Sequence, residues 1–263
     1  MKTKTKFANQ QILTGLGLVA VLLTFVDALI SHSWTWFLLS IIYSNVIVSL
    51  FATQIILHRY YSHKSFVVNV IWEKLFAIVS ILAGQGSPIA WSSAHRHHHK
   101  HSDQVLDNHS PRESYLLAAG AWLLKGYEWV VVEKKLKTIP VDLIRNKNLT
   151  LLEQYYYYIW WMLAIVVGLI NYKFMFYFLL APVGWNLVFA AMVTLGCHIK
   201  LPGSYKNFNL SDDTHNNLFI QAIVLGDGLH NNHHARPNDY NTSFEKYEFD
   251  LASKIINLIK KTK

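Results

Sequence analysis

Residues 36–63, WFLLSIIYSNVIVSLFATQIILHRYYSH, join 22 uncharged residues directly to a pair of histidines. A helix needs about 20 apolar residues to cross a bilayer. The run 36–57 therefore predicts a membrane-spanning helix, and the residues after it predict a polar site where that helix meets water. His58 and His63 are five positions apart, so their side chains converge only if the helix ends between them.

The remaining apolar runs extend this interpretation to the whole chain. Only 15% of the 263 residues are charged, against about 25% in an average soluble domain. A single cysteine, Cys197, excludes an intramolecular disulfide, a thiolate zinc finger and a cysteine-bound iron–sulfur cluster. Three more runs have the composition of membrane spans: 12–30, 156–172 and 174–197.

Short links between these runs predict two helical hairpins. If the links 31–35 and 171–173 lie outside, the exterior contains only Lys173, and 23 of the 24 lysines and arginines lie inside. This distribution follows the positive-inside rule and predicts that both termini are cytoplasmic. The fold class predicted for the single domain 1–263 is therefore an all-α integral membrane protein, with four transmembrane helices and a cytoplasmic helical cap formed by 58–155 and 198–263.

The uncharged stretch 75–94 is an exception. It contains the sequence GQGSP at 84–88, which combines several strong helix breakers. Irregular backbone at membrane depth is tolerated only where protein or water covers it. A buried or re-entrant segment is therefore expected here.

The 14 histidines nearly equal the 16 acidic residues in number, and most of them are grouped. Positions i, i+3 and i+4 share one face of a helix, whereas His97 lies about 200° from His95 and points away. Two triplets with the i, i+3, i+4 spacing accompany the first pair: His95, His98 and His99, and His230, His233 and His234.

Neutral imidazole suits iron, copper, nickel or zinc. Eight or nine histidine ligands exceed the capacity of one ion, so two metal ions are expected.

Two further features restrict this metal hypothesis. No Glu-x-x-His sequence occurs in the chain, which argues against a carboxylate di-iron bundle. If all three histidine groups share one site, they lie on one side of the membrane, and 75–94 is not a complete crossing.

In these motifs the chain resembles the membrane fatty acyl desaturases, particularly the stearoyl-CoA desaturase-like, delta-9 branch. His58-Arg-Tyr-Tyr-Ser-His63 resembles the family's H-R-x-x-S-H, and His95-Arg-His-His-His99 resembles H-R-x-H-H. The run 226–234, GDGLHNNHH, resembles G-E-G-x-H-N-x-H-H, with Asp227 where the family usually has Glu. Between the second and third boxes, five more positions follow the family pattern: Lys100, Ser102, Asp103, Asp107 and His109.

The resemblance implies an enzyme that introduces a cis double bond, at C9–C10, into a saturated acyl chain. It implies two iron ions as cofactors, dioxygen as oxidant, and a bent apolar tunnel for the acyl chain. The acyl group is carried on coenzyme A or as a lipid ester. Because the chain has no His-Pro-Gly-Gly haem-binding segment and no cysteine cluster, we expect a separate electron donor, cytochrome b-type or ferredoxin, at the basic cytoplasmic face.

The resemblance also implies roles for individual residues. His198 is a ninth ligand, four residues after Thr194, which stands where similar enzymes have an Asn that binds an iron-bound water. Gln85 and Trp91 are expected to shape the tunnel. Because a ligating histidine normally donates its other N–H to an oxygen, four residues are candidate partners of the imidazoles: Asp103, Asp227, Asn231 and Asn232.

Several alternatives remain at this point. Arg59 and Arg96 could contact an anionic headgroup, although phospholipid phosphates are the favoured partners. The tail 244–263 is either an amphipathic helix on the membrane surface or a helix packed on the cytoplasmic cap. A related histidine-box hydroxylase acting on lipid or alkane is the alternative enzyme. A metal transporter is disfavoured, because its spans should contain ionisable residues. The second, third and fourth predicted spans contain none.

Overall fold

The computed structural model describes residues 3–261, with side chains from residue 9 onward. Within this part of the chain the structure is mostly helical, as predicted. In chain order the α-helices are α1 (Thr3–Ile30), α2 (Thr35–Tyr43), α3 (Val70–Val79), α4 (Pro88–His101), α5 (Trp122–Val132), α6 (Val141–Ile144), α7 (Lys147–Ile170), α8 (Tyr172–Met175), α9 (Ala181–Thr194), α10 (Leu218–Val224), α11 (His230–Ala235) and α12 (Leu251–Ile259). The other regular segments are the π-helices Ser44–Ser62, Leu117–Ala121 and Phe176–Leu180, the 3₁₀ turn Ser80–Ala83, and the antiparallel strands β1 (Ser204–Tyr205) and β2 (Asn216–Asn217).

Three helices in the described chain are long and apolar enough to cross a membrane: Asn9–Ile30, Thr35–Ser62 and Tyr172–Thr194. The predicted span 156–172 lies on α7, which is not among the three. The 24 residues of α7 are a sufficient length, but its four consecutive tyrosines, 155–158, reduce its mean hydropathy. The four-span topology therefore stays a prediction.

The breaker sequence at 84–88 produces a sharp bend, as expected. Val70–Ala83 and Pro88–His101 meet at 75°. Gly84 has φ 66°, a left-handed conformation that favours glycine, and a Cβ there would lie 2.6 Å from Val183 Cγ2. Helix α4 then begins with Pro88 in its first turn and with the Ser87 hydroxyl accepting a hydrogen bond from the Ala90 amide, two features that favour helix initiation.

The backbone carbonyls that this bend leaves without a helical partner accept hydrogen bonds from side chains of the neighbouring helices. This compensation is necessary because a buried carbonyl without a hydrogen bond costs free energy. The donors and acceptors are Trp160 Nε1 to Ile81 O (2.7 Å), Asn186 Nδ2 to Ala83 O (2.9 Å), Gln10 Nε2 to Gly84 O (3.0 Å) and Tyr127 Oη to Gln85 O (2.6 Å). These hydrogen bonds stabilise the bend, which sets the direction of α4.

Close packing joins the first and last long helices. Gly17 of α1 and Gly184 of α9 face each other so closely that a Cβ on Gly184 would lie 2.5 Å from Gly17 O. Small residues allow such close helix contacts in membrane proteins.

The C-terminal segment packs on the cap side of the long π-helix. Ala252 and Ile256 of α12 are fully buried and belong to the same apolar cluster as Ile55 of the π-helix. Of the two interpretations of the tail, the described residues therefore fit the packed helix.

Candidate metal centre

The first histidine box is formed by the long π-helix. This helix runs through Ser62, and the His63 amide donates to His58 O at 3.1 Å. The helix thus ends between His58 and His63, as expected, with His63 as its C-cap. A π-helix bonds residue i to residue i+5, and this geometry brings the two rings to 5.0 Å between centroids.

The second box lies on α4, and Arg96 connects it to the first. Arg96 donates from Nε to Ser62 O at 2.8 Å and pairs with both carboxylate oxygens of Asp142. His97 points away from His95, as its helical position predicts, and lies beside His101, with 4.7 Å between the ring centroids. Its Nε2 lies 3.0 Å from Leu106 O and 2.9 Å from Lys134 O, which makes it a donor to backbone.

The third box lies on the short helix α11, next to the end of α9. His198 follows α9 and is 2% exposed, with its Nε2 at 3.0 Å from His230 Nε2. The structure thus places His198 beside a box histidine, and its role as a ninth ligand stays a prediction.

Nine histidines form two groups, and within each group the potential ligand atoms lie within 4.8 Å of one another. The five-histidine group is His58, His63, His95, His99 and His233, and the four-histidine group is His98, His198, His230 and His234. Within the first group, Nε2 atoms are separated by 2.8 Å (His63–His95), 2.9 Å (His58–His233) and 3.0 Å (His99–His233).

The chemistry of these groups fits two metal ions. His98 Nε2 and His234 Nε2 are buried without a protein partner, although a buried polar atom normally has one. Burial, followed by the neighbouring rings, lowers the pKa of His230, His233 and His234 well below the usual value. Neutral imidazoles with converging nitrogens are suitable ligands for a transition metal.

Carboxylates accept hydrogen bonds from the opposite nitrogen of four rings. This contact fixes the tautomer and orientation of a ligating imidazole. Asp103 and Asp227 are the two predicted partners, whereas the roles of Asp107 and Asp212 emerge from the structure. The distances from Nδ1 to carboxylate oxygen are 2.9 Å for His58–Asp227, 2.9 Å for His98–Asp107, 3.0 Å for His198–Asp103 and 2.9 Å for His234–Asp212.

Asp227 is ionised in this setting. Its burial would raise the pKa of the carboxyl, but the His58 ring and the Arg59 guanidinium outweigh that effect and lower the pKa to about 2. The shorter side chain that stands where the family has Glu still reaches His58.

Three predicted residues contact other partners. The side-chain oxygen of Asn231 accepts from the backbone amides of Asn207 and Phe208. The side-chain amide of Asn232 donates to Thr242 O and to the Glu248 carboxylate. These bonds connect loops of the cap and do not involve an imidazole. Thr194 Oγ1 donates to Ala118 O at 2.5 Å, so its hydroxyl proton is directed at backbone.

His109 is a neighbour of the four-histidine group that the sequence motifs do not identify as a ligand. Its ring lies 3.9 Å from the His98 ring, and its Nδ1 is buried without a partner. Burial, and then the nearby His98, lowers the pKa of His109 to about 3.

A cavity of about 100 Å³ lies beside both histidine groups. Its lining is mostly apolar and comes from the long π-helix, α4 and α9, including Leu187, Phe189 and Val193. Trp91 and Gln85 also line it, and Trp91 Nε1 donates to Gln85 Oε1 at 3.1 Å. The Trp91 ring stacks on His95 at 4.7 Å, so the cavity wall adjoins the five-histidine group.

Fold and site together define a helical membrane-type protein with two histidine groups beside an apolar cavity. Residues 33–248 match the family model for fatty acid desaturases, and the chain belongs to that family. It is an enzyme of the oxidoreductase class.

Three named relatives illustrate the similarity. An acyl-CoA 5-desaturase of Anemone leveillei is 28% identical over 87% of this chain and 70% of its own length. A probable chloroplastic lipid desaturase of Arabidopsis thaliana is 30% identical over 77% of this chain and 55% of its own. An sn-2 palmitoyl-lipid 9-desaturase of Nostoc is 28% identical over 77% of this chain and 70% of its own length.

Proposed function

We propose that this protein introduces a cis double bond at C9–C10 of a saturated fatty acyl chain, with two iron ions bound by the nine histidines. The observation that carries the proposal is the division of these histidines into groups of five and four beside one apolar cavity. Iron when bound supplies the activation of dioxygen, which is chemistry that protein side chains alone do not provide.

The reaction balances with an external donor. One acyl –CH2–CH2– unit, one dioxygen molecule, two electrons and two protons give –CH=CH– and two water molecules. We propose a separate cytochrome b-type protein or ferredoxin as this donor. Three of the five histidines in the five-histidine group are only half-buried, which favours electron entry on that side.

The protein's own residues select the reacting carbons. The apolar cavity excludes water and holds the acyl chain, so that one methylene pair lies beside the histidine groups. Trp91 connects the cavity wall to His95 by direct stacking. We propose that Gln85 and Trp91 therefore set the bend and depth of the chain.

The names of several relatives support the proposed position and carrier. The Nostoc relative is named as a 9-desaturase of a palmitoyl-lipid, and an Arabidopsis relative as a delta-9 acyl-lipid desaturase. Others are named as acyl-CoA 5-desaturases. The substrate class is thus a saturated acyl chain on coenzyme A or in a lipid ester.

The proposed location is a membrane that the chain crosses several times, with the metal centre and both termini on the cytoplasmic side. The excess of basic residues on the cap side supports this orientation.

The test is expression of the full chain in a host that lacks its own desaturase, followed by mass analysis of the lipids. A loss of two hydrogens at C9–C10 is the expected result, and His198→Ala is the inactive control. A gain of one oxygen would instead identify a hydroxylase, and unchanged lipids alongside abundant folded protein would contradict the proposal.

A further inference from the structure

Arg59 does not face phospholipid phosphates, contrary to the sequence-based expectation. Its side chain is 2% exposed and lies between two carboxylates of the cap. It donates from Nη2 to Asp227 Oδ1 at 3.1 Å and to Gly226 O at 2.8 Å, and from Nη1 to Asp250 Oδ2 at 2.8 Å and to Tyr240 O at 2.7 Å. A buried cation of this kind is stable only when paired.

These contacts form an unbroken series from a candidate metal ligand to the C-terminal helix. His58 Nδ1 bonds to one oxygen of Asp227, and Arg59 bonds to the other. Arg59 in turn bonds to Asp250. The orientation of the Asp227 carboxylate is therefore determined on both sides, by the imidazole and by the guanidinium.

Asp250 is itself fixed by the C-terminal segment. Its Oδ1 accepts from the Ser253 amide and so caps α12, while its Oδ2 accepts from the Thr242 amide and hydroxyl. The Asp250 side chain is completely buried. One residue thus anchors α12, a loop of the cap and the guanidinium of Arg59.

We propose that Asp250 is a positioning residue for the metal centre, and that the C-terminal segment orients His58 through Arg59 and Asp227. The effect is specific to the five-histidine group, because the three imidazole–carboxylate pairs of the four-histidine group do not include Arg59. The proposal rests on metal binding as described under the proposed function.

The experiment is a Co(II) titration of the purified, metal-free full chain in detergent, followed by optical absorption. Wild-type protein is expected to bind two Co(II) ions. Asp250→Asn retains a side chain that caps helices as well as aspartate does, but it removes the negative charge facing Arg59. We expect this variant to bind one Co(II) about 3- to 10-fold more weakly, less than the about 10- to 100-fold loss for a direct partner of a ligand, and to bind the other unchanged.

Ser253→Ala is the matched control. It removes the hydroxyl that donates to Asp250 O and weakens α12, but it leaves the Arg59–Asp250 contact in place. It is expected to lower the unfolding temperature without changing either Co(II) affinity. If it weakens Co(II) binding as much as Asp250→Asn does, the effect is general loosening and the positioning role is refuted.

A double-mutant cycle identifies the route. In an Arg59→Lys background, which retains a cation but not the two-sided geometry, Asp250→Asn is expected to have a smaller additional effect. Full additivity would contradict transmission through Arg59. Equal weakening of both Co(II) ions, or no change in Asp250→Asn, would also overturn the inference. Failure of wild-type protein to bind Co(II) would instead refute the metal centre itself.

Discussion

The two histidine groups are built by different means. The five-histidine group comes from the long π-helix, α4 and α11, and a carboxylate orients one of its members, His58. In the four-histidine group three of the four members have a carboxylate partner, and the carboxylates Asp103, Asp107 and Asp212 come from loops of the cap. Both groups draw histidines from α4 and α11, so the difference between them lies in how many imidazoles a carboxylate orients.

This difference has a physical basis. A helix in a packed bundle has little freedom, so residues on one face keep their relative positions without further support. The helix fixes where the backbone of a histidine lies, whereas a hydrogen-bond acceptor selects its tautomer and ring orientation. The four-histidine group should therefore depend more on single carboxylates than the five-histidine group does.

The largest expected effect is the loss of a ligand from the four-histidine group. His198→Ala should remove one of two bound metal ions, and the loss of activity should exceed the about 10- to 100-fold typical of an outer partner. Metal analysis of the purified protein provides the measurement. His97→Ala, which alters a buried histidine bonded to backbone, should keep both metals, and the reverse pattern would contradict the division into two groups.

The second prediction compares the carboxylates directly. Asp103→Asn keeps an acceptor oxygen for His198 and suits the positive φ of 59° at this position, but it removes the charge. It should weaken one metal ion about 10- to 100-fold. Asp227→Asn should weaken the other ion, and by less, because four of the five histidines in its group have no carboxylate contact in the described structure.

Equal losses in Asp103→Asn and Asp227→Asn, measured by metal titration, would mean that helix position does not substitute for hydrogen bonding. Loss of both metals in either variant would mean that the two groups are not independent.

A third prediction concerns the cavity side of the five-histidine group. Trp91→Ala removes the ring that stacks on His95 and forms part of the cavity wall. The wider cavity should hold the acyl chain less precisely, so activity should fall or the double-bond position should scatter while both metals remain bound. Gas chromatography with mass spectrometry of the products tests this, and an unchanged rate and product would exclude Trp91 from substrate positioning.

The smallest effect is expected for His109, which stacks on His98 but is not one of the nine histidines. His109→Phe preserves an aromatic ring at that position. Metal affinity should fall by less than about 10-fold, which is the smallest loss typical of a group that orients a ligand. A larger loss of affinity for the metal ion of the four-histidine group would make His109 a functional member of that group.

Sequence reasoning was effective where the relevant spacing was local. The triplets on α4 and α11 follow from helical periodicity, as does the opposite orientation of His97. It did not reveal the π-helical bonding that brings His58 and His63 together, since such bonding has no clear signature in the residue pattern. It also placed Arg59 at the lipid surface, because the chain distance to Asp250 conceals their contact.

The sequence by itself determined the apolar helices, the family motifs and the side chains able to bind metal, because composition and short-range periodicity are properties of the linear chain. Only the tertiary structure decided which histidines share a group and which carboxylates support them. His98 and His99 are neighbours on α4 yet belong to different groups, and Asp212 meets His234, which lies 22 positions further along the chain. Such pairings depend on how α9, α11 and the cap loops pack together, and that packing is a property of the whole fold.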